Sequence, residues 1–384
     1  MIDRIKLFFV VLLILLMAIQ LSPMGLGEMY ETLRLGIMFL TGVLFLFSCK
    51  FKELLSVRII KVMFYILFVE SFILFTIFAL GGNVYWRAIV EFCMAFMFIV
   101  ISYNLDIKER AYLFILNLFL WSALYIGISC IMAYGNGFTI NEQYMPIPKN
   151  QIAPVLSMAL FIACYVGGIS DRKLLKSYYW SIALILFLCI CVFRARANMV
   201  AVGLGLIVYL FFYGKSKKTI GIGIVLFIIA LLFTSIGDFV YKAFVGHYDV
   251  SDANSLSAGR TDVYSASLEF LGDNPFFGNI FPHTPLSYYH GGITHNYLLF
   301  TLENYGFLGG LLLVLFYVML LIYVAKINMS KCNKDNLFSV GKFVFIVPLV
   351  ISIFEYTYPY SPGSAVFVAY LCFGVFERKS RLSR

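Results

Sequence analysis

SAGRTDVYSASLEFLGDNPFFGNIFPHTPLSYYHGGITHNYLLFTLENYGFLGG, residues Ser257 to Gly310, is where an otherwise oily chain turns polar and then returns to hydrocarbon. The stretch carries Arg260, His283, His290 and His295. Val263, Ala266, Leu268, Phe270 and Leu271 fall at helical spacing, and Asn274-Pro275 stops that helix, because proline disfavours helix in the residue before it. From Asn296 the residues are apolar for about thirty positions, more than the ~20 that a single bilayer crossing needs. Gly306 and Gly309 interrupt that run. Such a glycine pair permits a break, so residues 296–305 are predicted as a re-entrant half-helix ahead of the true crossing.

Outward from this stretch, the chain has 384 residues, 62% hydrophobic and only 13% charged. A soluble protein carries about 25% charged residues. Apolar runs fall at 7–22, 35–49, 62–80, 88–104, 111–133, 151–168, 178–193, 199–213, 220–236, 296–325, 343–357 and 364–376. The expected fold is an all-α polytopic membrane protein of about twelve transmembrane helices. The runs are continuous rather than alternating, which excludes a barrel. The expected organisation is a membrane scaffold over 1–236, a large outer loop with short helices over 237–294, and C-terminal spans over 295–384, together one membrane domain. The first run follows Arg4 and Lys6 without a small-residue cleavage site, so it is expected to stay as a span.

The net charge of +9 does not point to nucleic acid, because the positive charge follows one side of the membrane. With the N-terminus inside, every Lys and Arg lies inside except Arg34, Arg87, Lys149, Arg194, Arg196, Lys242 and Arg260. That bias puts both termini in the cytoplasm. The 8 cysteines sit in apolar runs or inside loops, so no disulfide framework supports the outer loop and they read as small core residues.

Three of the outer cations concentrate the chemistry. Arg194 and Arg196 stand in CVFRARANMVAVG, where two spans meet with almost no loop. Guanidinium groups at a hydrocarbon boundary are costly unless they snorkel or meet an anion. Lipid-phosphate anchoring is one reading, and a fork for a phosphate-bearing lipid is the other. Arg260 follows Gly259 at a helix start, where close backbone approach and the helix N-terminus both favour an anion. His295, with Asn296 beside it, opens the long apolar run and can take a proton from a hydroxyl. The bland alternative for His295 is an interface histidine bonded to a loop carbonyl. Glu70, Glu91 and Glu355 are acids within apolar runs, and none is assigned a catalytic role. Asp249 and Asp252 are discounted as a metal pair.

Taken in order, Arg196, Gly259-Arg260, the Asn274–Gly278 turn and His295-Asn296-x9-Gly306-x2-Gly309 resemble the O-antigen polymerase and O-antigen ligase superfamily of bacterial surface-glycan enzymes. Lys149-Asn150-Gln151-Ile152-Ala153 also looks like that family's Asn-x-x-Ala opening of a span. The resemblance implies a GT-C-type membrane glycosyltransferase of lipopolysaccharide biosynthesis, without metal or cofactor, in the bacterial inner membrane. It implies an undecaprenyl-pyrophosphate-linked oligosaccharide as donor, with a chain-length regulator and a flippase as possible partners. Arg196 and Arg260 would hold the pyrophosphate, and His295 would act on the acceptor hydroxyl. Arg194, Asn296 and Gly259 would complete the substrate-binding set.

Gly310 and Leu311 stand where the ligase branch carries hydroxyl residues, and Asn304, preceded by Glu303, stands where an acid is common. These departures favour a polymerase over a ligase. A lipid-linked oligosaccharide flippase is the more distant alternative. It would be expected to show related halves, and no internal repeat is evident.

Overall fold

Sixteen consecutive residues, Ile152 to Gly167, are buried in one helix, and the bundle is assembled around it. The computed structural model describes residues 2–25, 29–48, 56–82, 84–136, 139–141, 144–145, 149–213, 259–329, 336–355 and 367–382. In order, the helices are α1 (Ile2–Gln20), α2 (Met29–Ser48), α3 (Arg58–Ala79), α4 (Arg87–Tyr103), α5 (Glu109–Tyr134), α6 (Lys149–Ile169), α7 (Lys173–Val192) and α8 (Arg196–Tyr213). After these come α9 (Arg260–Asp273), α10 (Leu286–Tyr289), α11 (Tyr297–Met329), α12 (Val340–Val344), α13 (Ile346–Ile351) and α14 (Phe367–Leu382). Two short 3₁₀ turns, Gly278–Ile280 and Leu337–Ser339, and a small hairpin, β1 (Gly135–Asn136) with β2 (Thr139–Ile140), complete the described elements.

The central helix α6 packs against α5, α7, α8, α12 and α13, and buried α14 packs against α4 and α12. Their apolar faces are buried, while Phe39, Leu46, Phe68 and Phe72 project outward. An exposed surface this apolar is suited to lipid tails. Six described helices, α2, α3, α5, α6, α7 and most of α11, are long and apolar enough to cross a bilayer by length and composition. The chain is an all-helical, multi-pass membrane protein. The expected span 220–236, with Lys242, Asp249 and Asp252, lies outside the described residues.

Over the described part of the expected span 343–357, α12 and α13 meet at Phe345, whose φ −67° and ψ −14° stay helical, and Pro348 marks the joint because it cannot donate to Val344. The described cysteines are free thiols, as expected of core residues.

The long apolar run does break where its glycines stand. Gly306 interrupts α11 with φ 61° and ψ −168°, which separates a half-helix from the long crossing that follows. The Pro275–Gly278 turn docks on that break. Phe307 N donates to Pro275 O at 2.8 Å, and Leu308 N donates to Phe276 O at 3.0 Å. A Cβ on Gly306 would run into the Phe276 carbonyl, and one on Gly278 (φ 53°) would meet the backbone of Glu303 and Gly306. Both positions need glycine for its left-handed backbone and for its missing side chain. The loop and the half-helix are thereby joined backbone to backbone.

Candidate active site

The described part of the loop forms a layer over one end of the bundle, and α9 lies against α11. Helix α9 opens after Gly259, whose φ is 78°, and ends as expected at Asp273. Asn274 then turns the chain. Its side-chain amide donates to Phe270 O at 3.2 Å, and its Oδ1 accepts from His283 N at 2.8 Å.

Two residues that the sequence singled out for chemistry meet at a third, Glu355, to which it assigned no role. Arg260 Nη2 donates to Glu355 Oε1 at 3.2 Å, while its Nη1 donates to the Phe354 carbonyl at 2.7 Å. His295 Nδ1 lies 3.1 Å from the other oxygen, Glu355 Oε2. Asn150 Nδ2, from the first turn of α6, donates to Glu355 Oε1 at 2.7 Å. Three distant parts of the chain therefore converge on one buried carboxylate. The Glu355 side chain is 5% exposed, against 24% for Arg260 and 35% for His295, so the cation and the imidazole reach an accessible surface that the acid does not.

A carboxylate facing Nδ1 favours the tautomer that carries its proton there, which leaves the lone pair on Nε2. Backbone contacts fix the ring's position as well. Tyr264, one turn along α9 from Arg260, donates its hydroxyl to the His295 carbonyl. Burial pushes the Tyr264 phenol up, the Arg260 guanidinium draws it down, and the Glu355 charge raises it again.

Asn296 serves the fold. Its Oδ1 accepts from Leu298 N and Leu299 N at 3.0 Å, capping α11, and its amide donates to Ile353 O at 3.0 Å. Arg194 lies within the three-residue turn between α7 and α8 and Arg196 follows it, with Phe193 and Ala195 buried beside them. Arg194 has φ 51°, a left-handed conformation costly for any residue with a side chain. Arg196 begins α8, which packs on α13, the segment leading into Glu355.

A second polar cluster lies beneath the loop. His290 Nε2 is 2.8 Å from Glu303 Oε1 on the half-helix, with side-chain exposures of 7% and 1%. His290 Nδ1 faces Gly292 O at 2.9 Å, and Ser267 Oγ on α9 lies 3.0 Å from Thr294 Oγ1. Sequence reasoning left Glu303 in doubt and passed over His290. Among the described residues, no three His, Cys, Asp or Glu side chains gather as metal ligands.

Residues 181–314, from α7 through the kink of α11, match the family model described as O-antigen ligase. The chain carries this domain of the O-antigen polymerase and ligase superfamily. That superfamily covers ligases and polymerases, glycosyltransferase-like membrane enzymes that act on lipid-linked glycans. The match takes in Arg194, Arg196, Gly259, Arg260, His295 and Asn296, whereas Asn150 and Glu355 lie outside it. No curated protein matches the chain.

Proposed function

We propose that the protein is an O-antigen polymerase, which transfers a growing glycan from undecaprenyl pyrophosphate onto the sugar of an incoming lipid-linked repeat unit. The observation that carries this reading is the sharing of Glu355 by Arg260 and His295. An acceptor hydroxyl oxygen attacks the anomeric carbon of the donor glycan. The bond from that carbon to the pyrophosphate oxygen breaks, and its electron pair leaves with the lipid pyrophosphate. The hydroxyl proton passes to Nε2 of His295, whose Nδ1 proton stays against Glu355. General-base help of this kind contributes about 10²–10⁴-fold.

Arg260, with Arg196 and Arg194 from the α7–α8 turn, neutralises the pyrophosphate as charge develops on it. Guanidinium groups held in place do this without a metal ion. Arg260 N–H groups hold Glu355 and Phe354 and the guanidinium also meets Tyr264, and the donors left over serve the phosphate. In this reading Gly259 gives the donor access to the start of α9, and Asn296 acts through the cap that sets His295.

The enzyme has a GT-C-type architecture with about twelve spans in the bacterial inner membrane. Both termini face the cytoplasm, the site faces outward, and the donor's tail stays in the bilayer. A flippase would supply the lipid-linked units and a chain-length regulator would accompany the enzyme.

Replacing Arg196, Arg260 or His295 with Ala should leave the protein in the membrane and abolish the long-chain ladder on a glycan gel. A normal ladder from all three variants rejects the mechanism. The ligase reading, transfer of finished polymer to lipid A core, is favoured by the description of the matched family, while Gly310 and Leu311 favour the polymerase. Deleting a polymerase leaves a single repeat on the core, and deleting a ligase leaves none.

A further inference from the structure

At the far end of the same helices, away from Glu355, lies a cavity of about 510 Å³ between the start of α3, the end of α11 and the end of α14. Helix α3 has 22 residues and so spans ~33 Å, about the thickness of the hydrocarbon layer. Its other end reaches Gly82, beside Ile280 of the loop layer. The cavity and the candidate active site therefore sit at opposite membrane boundaries.

Three cations line the cavity, Arg58, Lys326 and Arg381, against one carboxylate, Glu377. The carboxylate is engaged, since Tyr323 donates its hydroxyl to Glu377 Oε1 at 2.6 Å. Arg381 is engaged too, with Nη2 on Ser56 O at 2.8 Å and Nη1 on Ser56 Oγ at 3.0 Å. Arg58 and Lys326 are exposed, and neither has a carboxylate partner among the described residues. The remaining wall is apolar. Val62, Met319 and Ile322 line it, and Met319 and Ile322 are themselves exposed on the outer face of α11.

We propose that this cavity binds an anionic phospholipid, its phosphate between Arg58 and Lys326 and an acyl chain along Val62, Met319 and Ile322. Cations without a carboxylate partner among the described residues, placed at a membrane boundary, call for an anion. Basic pockets between transmembrane helices suit lipid phosphate, and the start of α3 adds its positive end. The apolar wall distinguishes a lipid from a free phosphate ion, which would have nothing to place there. None of this depends on the chemistry assigned to His295.

The test uses the full chain purified in neutral detergent. Its thermal unfolding is followed while dioleoylphosphatidylglycerol, dioleoylphosphatidylcholine or inorganic phosphate is titrated in. Phosphatidylglycerol should raise the midpoint saturably, and the other two should not. Lys326→Gln should weaken the half-saturation concentration about fivefold, and Arg58→Gln with Lys326→Gln about 25-fold. Arg172→Gln, an exposed cation before α7, should leave it unchanged. Equal stabilisation by phosphatidylcholine or by inorganic phosphate overturns the proposal, as does a phosphatidylglycerol response that ignores both Lys326→Gln and the double variant.

Discussion

His290 and His295 come from one short loop, each facing a glutamate on a membrane-embedded segment, yet their surroundings differ. The His290–Glu303 pair is closed off, with both side chains almost without solvent contact and hydroxyls from Ser267 and Thr294 beside it. The His295–Glu355 pair is half open. Its acid is buried, its imidazole is not, and Arg260 shares the acid. A buried pair ties α9, the loop and the half-helix of α11 together, which is a job for stability. An accessible imidazole oriented from behind by a carboxylate, with a guanidinium alongside, is arranged for chemistry. The same two residue types thus stand closed off in one place and open in the other, and the proposed chemistry falls to the open pair.

The sharpest way to break this comparison is Glu355→Gln. It should lower polymer formation by about 10²–10⁴-fold while leaving the amount of protein in the membrane near wild type. An in vitro assay with lipid-linked repeat units and an immunoblot of membranes measure the two sides, and full activity would erase the distinction. Glu303→Gln should do the reverse. Removing one partner of a buried pair costs about 3–5 kcal/mol. The purified variant should therefore unfold at lower temperature, with activity per folded molecule close to wild type.

Gly306→Ala tests the joint that holds both pairs in register. Its side chain would displace the Phe276 carbonyl from a left-handed position, a cost of about 1–3 kcal/mol from the backbone alone. Combined with Gly278→Ala, the loss should be less than additive, since the two glycines face each other across one contact. Asn296→Ala should be mildest. Loss of a helix cap costs about 1 kcal/mol, read as a small fall in unfolding temperature with a larger fall in activity than Glu303→Gln per degree, because the cap adjoins His295.

Much of the fold was legible from hydropathy. Runs near twenty apolar residues became helices, Asn274-Pro275 ended α9, and the Gly306 interruption divided α11. The joint at Phe345 was not anticipated, because an apolar run hides a proline's effect on backbone bonding until the helix is placed. At the site, Arg260 and His295 were readable because polar groups beside apolar runs are expensive and call for a reason. Glu355 belongs to the same class of signal, an acid inside an apolar run, but nothing in the sequence gave it a partner. Asn296 read as part of the substrate-binding set, and the structure adds that its side chain caps the start of α11 and bonds Ile353.

Composition and periodicity alone determined that this chain is helical and membrane-embedded, because lipid demands long apolar helices wherever the backbone must satisfy its own hydrogen bonds. They also determined which few polar residues were worth following. Only the tertiary structure decided that Asn150, Arg260, His295 and Glu355 share one place, and that α6 lies in the middle while α3 does not. Hydrocarbon is as apolar as a protein core, so a sequence reads the same facing either. The choice between them rests on packing, which no single run of residues contains.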